Sequence, residues 1–289
     1  MYINTSHFYC QRPHRERTME SAKSLNTYSH QNVIVMRHGD RLDRFESLWT
    51  SKAERPWDTP LAQDGMDRAF RTGQRIRSQI GFPIHRVFVS PFLRCIQTAS
   101  EVVAALSAVD LDPKAMSSKD VLCMDNAKLK VSIEFGLCEV LNTSCMEIEV
   151  VPEDGKFDFK ISDLEAMFPK GTVESNVDMV YKELPQWGES SQGFKDRYFD
   201  TVKALADKYP SENLLIVTHW GGVSVALYNY FKDATKYMVD YCGSVEMRRQ
   251  ILNSDDDGFA KFEVVTSHGV SYKDNNCPIH DHVVSQSPV

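Results

Sequence analysis

The chain has 289 residues, 42% of them hydrophobic and 25% charged, which is enough apolar side chain for a sizeable core in one α/β domain. Its formal net charge of −7 speaks against a nucleic-acid-tracking or membrane-surface protein, because such surfaces carry a basic excess. Seven scattered cysteines without a C-x-x-C pair fit a reducing, cytoplasmic setting better than a disulfide framework or a zinc site, and no apolar run is long enough to span a bilayer.

Residues 1–28 are expected to form a disordered extension. Within its first 18 residues Arg12, Arg15 and Arg17 weakly resemble a transit peptide, while Met19 offers a second start. The β-branched run 32–36 predicts a buried parallel strand that ends in a polar turn, Arg37-His38-Gly39-Asp40-Arg41. Residues 44–59 have no period and predict a loop. Helical spacing of Leu61, Met66, Ala69, Phe70, Gly73 and Ile76 predicts a helix opened by Thr59-Pro60 and running to Ile80.

A second strand is predicted over 86–90, a helix from 92 to about 106, a short third strand over 131–134 and a strongly apolar fourth over 214–218. Gly221-Gly222 lead from that strand into another helix. Alternating runs at 245–252 and 259–266 predict a hairpin around the acidic turn 254–258, whose consecutive aspartates lack the spacing of a calcium loop. The domain is bounded at 29–268, with an insertion or lid at about 142–192 and a flexible tail at 269–289. Phe157, Phe159, Phe168, Tyr181 and Trp187 either line that lid or, more economically, pack it onto the domain. Arg44, Arg55 and Trp57 are expected on the surface near the site's mouth.

Strand-then-helix repeats imply an α/β fold, a three-layer αβα sandwich with a mostly parallel central sheet. Ligands in such sheets gather beyond the strand C-termini. Three polar turns leave strands at that edge, after Met36, Val89 and Val217. Each turn alone is ambiguous: Arg37-His38-Gly39 reads equally as a charged loop, Arg94 as a solvent-facing charge and His219 as a core histidine. Their joint position at one end of one sheet is the informative feature.

Four motifs in order, Val35-Met36-Arg37-His38-Gly39, Ser90-Pro91-Phe92-Leu93-Arg94-Cys95-Ile96-Gln97-Thr98-Ala99, Gly136-Leu137-Cys138-Glu139 and Thr218-His219-Trp220-Gly221-Gly222, resemble the signatures of the histidine phosphatase superfamily, the phosphoglycerate-mutase-like fold. With Arg41 three residues after His38, the set is most similar to the phosphatase domain of the suppressor-of-T-cell-receptor-signalling proteins and the insect steroid-phosphate phosphatases. The chain lacks the length for the ubiquitin-binding and SH3 modules of the signalling proteins, so phosphotyrosine-protein specificity does not follow. Two departures count against other branches. Asp40-Arg41-Leu42-Asp43-Arg44 stands where mutases continue with Glu and an Asn-containing segment, and Trp220 stands where acid phosphatases place an Asp.

The resemblance implies a metal-independent phosphatase without a cofactor, acting on a phosphorylated small molecule or phosphoprotein through a phosphohistidine at His38. Neutral imidazole suits that role because it attacks an anionic phosphoryl group without charge repulsion. Arg37, Arg41 and Arg94 would bind the equatorial oxygens through paired hydrogen bonds, and His219 would donate further, its protonated form favoured by the phosphate. Glu139 is the implied leaving-group acid. Its alternative role is an ion-pair partner of an arginine, with Asp40 then the acid. A mutase-type phosphotransferase and a non-catalytic phosphate- or phosphoprotein-binding module are the competing readings, and a homodimer is compatible with the sequence.

Overall fold

The computed structural model describes residues 29–174, 177–228, 234–251, 261–274 and 277–281. Seven strands form one sheet in the order β3-β2-β4-β1-β5-β6-β7: β1 (Ser29–Arg37), β2 (Arg86–Val89), β3 (Lys130–Ile133), β4 (Leu214–Thr218), β5 (Ala234–Ile251), β6 (Glu263–Asp274) and β7 (Cys277–Asp281). The pairs β3–β2, β2–β4 and β4–β1 are parallel, and the three pairs beyond β1 are antiparallel. The predicted hairpin is therefore the start of the β5–β6 pair, while its acidic turn lies outside the described residues.

Helices cover both faces. They are α1 (Trp49–Lys52), α2 (Gln63–Gln79), α3 (Leu93–Ser107), α4 (Ile161–Glu165), α5 (Ser191–Lys208) and α6 (Trp220–Tyr228). Because side chains alternate across a strand, β1 sends Ile34 and Met36 to the core under α2 and α3, and Val33 and Val35 to the core under α5 and α6. Two separate cores on opposite faces give the three layers. Every residue of β4 is buried, as expected of a strand covered on both sides, and this explains its uninterrupted apolar run.

Several expectations shift. Residues 44–59 are not wholly loop, since α1 lies within them and Trp57 is buried, packed edge-on against Phe92, Phe157 and Phe159 at ring distances of 6.0, 5.0 and 5.2 Å. Trp57 is thus a core residue rather than a surface one. Those contacts seat the 142–192 segment: Phe157, Phe159 and Phe168 are buried in the core, with Trp187 packed against it, instead of lining an open lid. The helix opened by Thr59-Pro60 starts at Gln63, four residues later. Residues 269–281 do not form a tail. They continue β6 to Asp274 and add β7, because the long β5 leaves backbone groups for β6 to pair with. Residues 1–28 and 282–289 lie outside the described residues. No helix among those described is long and apolar enough to cross a membrane.

Candidate active site

The four parallel strands end at one edge, and each end delivers a side chain. His38 follows β1, Ser90 and Arg94 follow β2, Glu139 follows β3 by a short 3-10 turn, and His219 follows β4. His38 is held by its backbone from two sides: its N–H donates to Thr218 O at 2.9 Å and its carbonyl accepts from Cys242 N at 3.1 Å. Gly39 is required here by a close approach rather than by a left-handed turn. A Cβ on it would stand 2.7 Å from the Gly65 carbonyl oxygen in the first turns of α2. The Gly39 N–H in turn donates to Thr98 Oγ1 at 2.9 Å, so α3 steadies the turn that carries the nucleophile candidate.

His38 Nδ1 lies 2.8 Å from Gly39 O. A carbonyl can only accept, so Nδ1 carries the proton and Nε2 keeps its lone pair. Burial, followed by the charges of Arg94 and Arg37, pushes the His38 pKa well below its usual value. Desolvation leads, and the arginines come second. The imidazole is a neutral base with one defined free nitrogen.

His219 is fully buried, its ring 5.5 Å from that of His38. Arg94 Nη2 approaches its Nδ1 at 3.2 Å and Ser90 Oγ its Nε2 at 2.8 Å. A guanidinium can only donate, so Nδ1 accepts and Nε2–H donates to Ser90. Burial, reinforced by Arg94 and His38, lowers its pKa well below the usual range. In the free site His219 is therefore neutral and orients Arg94, and it is not yet the protonated donor expected from sequence.

Arg94 is buried with its Cζ 4.4 Å from the Phe92 ring centre. Arg37 places its Cζ 4.2 Å from the Tyr241 ring centre and donates from Nη1 to Val239 O. The Nε atoms of both arginines are buried without a hydrogen-bond partner among the described residues. A buried donor left unsatisfied is costly, and burial lowers the pKa of both groups, the mark of cations short of anionic partners. Arg41 differs. It pairs through Nε with Asp43 at 3.0 Å and is partly exposed, so it stands at the rim of the site already neutralised.

Glu139 is buried, with Oε1 accepting from Val140 N at 3.1 Å and Oε2 at 3.8 Å from His219 Nδ1. Burial raises its pKa above the ordinary carboxylate value, and Arg94 and Arg37 only partly offset this. Its carboxylate has no arginine hydrogen bond among the described residues, which argues against a purely ion-pairing role. Asp40, the alternative acid, is paired with Arg68, whose Nε donates to it at 2.7 Å on the α2 side.

Sequence reasoning gave no role to several supports. Asp58 Oδ1 accepts from Leu93 N at 2.7 Å and so caps α3 from across the chain, tying Trp57's loop to the helix that carries Arg94. Arg197, on α5, is buried. It donates to the carbonyls of Gly136 and Cys138 at 2.8 and 3.2 Å while its fork binds Glu189. Tyr241 carried no signal at all. Of the residues expected at the mouth, Arg44 is exposed, and Arg55 stacks on Trp57 with its Cζ 4.4 Å from the ring centre. Among the described residues no group of three or more His, Cys, Asp or Glu is placed to hold a metal ion.

Residues 33–115 match the profile of the histidine phosphatase superfamily, branch 1. Over that stretch the chain is similar to the histidine phosphatase superfamily. The matched stretch contains Arg37, His38, Arg41 and Arg94. Human ubiquitin-associated and SH3 domain-containing protein A is 23% identical over 244 residues, 72% of this chain and 32% of the relative, so the chain spans about a third of that relative's length. The ecdysone phosphate phosphatase of Bombyx mori, crystallised with tungstate, superposes with a TM-score of 0.52 at 22% identity, covering 90% of this chain and 97% of that one. A phosphoglycerate mutase from Bacillus anthracis gives a TM-score of 0.46 at 18% identity, over 82% and 93% of the two chains. The superposition on the ecdysone phosphate phosphatase shows a shared fold, the one that the four motifs imply.

Proposed function

We propose that this chain is a member of the histidine phosphatase superfamily and a phosphatase that hydrolyses phosphate monoesters through a phosphohistidine at His38, without a metal or cofactor. One observation carries the reading: a neutral imidazole with its free Nε2 defined stands beside the guanidiniums of half-buried Arg37 and buried Arg94, each with a buried Nε donor that has no partner among the described residues. A phosphoryl group is the small anion that such a site would satisfy, with equatorial oxygens taking the waiting donors of Arg37 and Arg94. Arg41 would join them from the rim by exchanging Asp43 for phosphate.

In the proposed sequence His38 Nε2 attacks phosphorus, the P–N bond forms and the ester P–O bond breaks. The leaving oxygen takes the proton of Glu139, whose raised pKa keeps that proton available. Water, deprotonated by the same carboxylate, then attacks phosphorus, breaks the P–N bond and releases inorganic phosphate. Transferred negative charge beside His219 favours its protonation, turning it from a guide for Arg94 into a further donor. Substrates are phosphorylated small molecules or phosphoproteins, and the free thiols of Cys95, Cys123, Cys138, Cys145 and Cys242 fit a cytoplasmic setting.

The test is release of phosphate from an aryl phosphate by the purified protein, with chelator present, and trapping of an acid-labile, base-stable phosphoenzyme that His38→Ala abolishes. Delivery of the phosphoryl group to a second substrate in preference to water would replace the hydrolase with a mutase-type transferase. Tight phosphate binding without turnover would make the chain a binding module.

A further inference from the structure

The β5–β6 ladder is interrupted beside His38. Between the pairs Val239↔Val270 and Ser244↔His268, four residues of β5 (Asp240, Tyr241, Cys242 and Gly243) lie opposite one residue of β6, Gly269. Cys242 adopts φ +57°, a left-handed conformation that residues with a Cβ adopt at a cost. Gly243 admits no side chain, since a Cβ would stand 2.7 Å from Gly269 O and 2.9 Å from Asp240 O. A strained bulge of this kind persists only where the surroundings impose it, and such outliers gather at functional sites.

What the bulge holds is specific. Its Cys242 N–H bonds the carbonyl of His38 at 3.1 Å. Its first flank, Val239, accepts from Arg37 Nη1. Its Tyr241 ring lies 4.2 Å from Arg37 Cζ and 5.8 Å from the His38 ring centre. The Arg37 guanidinium is thus bonded at one edge and stacked on one face, while its Nε stays buried with no partner among the described residues. An unstacked arginine would have to be ordered when the anion arrives, and that cost would come out of binding. A cation held against an aromatic face in a desolvated site is ordered beforehand.

We infer that Tyr241 is a positioning residue that pre-orders Arg37 for the phosphoryl group, and that the β5 bulge exists to present it. The inference rests on the phosphate-transfer reading above. Stabilisation by a donor fixed in place is greatest where charge develops, so the effect falls mainly on the transition state.

The experiment measures vanadate affinity by calorimetry, together with kcat and KM on an aryl phosphate, for the full chain and its Tyr241 variants. Tyr241→Leu is expected to weaken vanadate binding about five- to thirtyfold, and to lower kcat by a similar factor with KM changed much less. Tyr241→Phe, which keeps the ring, should recover most of both losses, whereas a merely structural role would shift the melting temperature without this split. If Tyr241→Leu does not fold, Tyr241→Met replaces it with a flexible apolar filler. Unchanged vanadate affinity in the folded Leu or Met variant, or a Phe variant as weak as they are, overturns the inference. Wild-type protein that binds vanadate but releases no phosphate would sink the hydrolase and leave the vanadate series to decide on Tyr241. Wild-type protein that binds no vanadate overturns both.

Discussion

The parallel half of the sheet, β3-β2-β4-β1, and the antiparallel half, β5-β6-β7, serve the site in different ways. Every residue of the phosphate-transfer constellation leaves a parallel strand at its C-terminal end, where the geometry of parallel pairing aligns all exits on one edge. The antiparallel half reaches that edge through an irregularity, the bulge at 240–243. That bulge carries Tyr241, whose ring lies 4.2 Å from Arg37 Cζ. The lesson is that one half supplies reacting groups by topology, and the other supplies their restraint by a break in its own regularity.

The sharpest way to test this division is to delete the nucleophile. His38→Ala should reduce turnover by about 10⁴–10⁶-fold, the scale of removing a nucleophile from an assembled site. Loss of only tenfold would mean the reacting group lies elsewhere. Steady-state kinetics with phosphoenzyme trapping checks it.

Glu139 comes next. Glu139→Gln should slow alkyl phosphate hydrolysis by about 10²–10⁴-fold, the usual worth of general acid catalysis. Aryl phosphates should lose much less in the first-turnover burst, because a phenolate leaves without help. Burial depresses the His38 pKa and raises that of Glu139, so kcat/KM should decline on the acid side as His38 protonates and on the alkaline side as Glu139 loses its proton. The Gln variant should lose the alkaline limb. Equal burst losses for both substrate types would return Glu139 to a positioning role.

The antiparallel half is probed by Gly243→Ala. The added Cβ meets two backbone oxygens that have no flexible side chain to move, so the bulge must shift at a cost of about 1–3 kcal/mol. If the bulge only closes the sheet, denaturant unfolding alone will register the change. If it restrains Arg37 and His38, kcat falls in protein that remains folded.

The smallest effect concerns stability. A buried histidine with a depressed pKa refuses protons that the unfolded chain accepts, so its contribution is present above the ordinary value of 6.5 and is lost as pH falls below it. Glu139 acts in the opposite sense, favouring the folded state once it is protonated. His38→Gln should therefore lose about 1 kcal/mol less than the wild type when pH is lowered by a unit through that range. Identical slopes in denaturant titrations at the two pH values would show that His38 is not held neutral by burial.

Much of this was written in local sequence. The apolar run of β4, the period of α2 and the polar turns after Met36, Val89 and Val217 depend on neighbours a few residues apart, and they announce strands, helices and strand exits. His38, Arg94, Glu139 and His219 were legible because each lies in a motif at such an exit. Other features depend on partners far along the chain. Asp58 is a cap only because Leu93 is brought to it, and Arg197 is a buried clamp only because the Gly136–Glu139 turn folds onto α5. Asp40 is ion-paired only because α2 places Arg68 against it. Tyr241 belongs to the site only because β5 bulges where it meets β1. Sequence by itself named the residues proposed to carry the chemistry, since reactive side chains and strand exits are local properties. Tertiary structure alone decided their protonation, pairing and restraint, because burial and long-range contacts set these and neither has a local pattern.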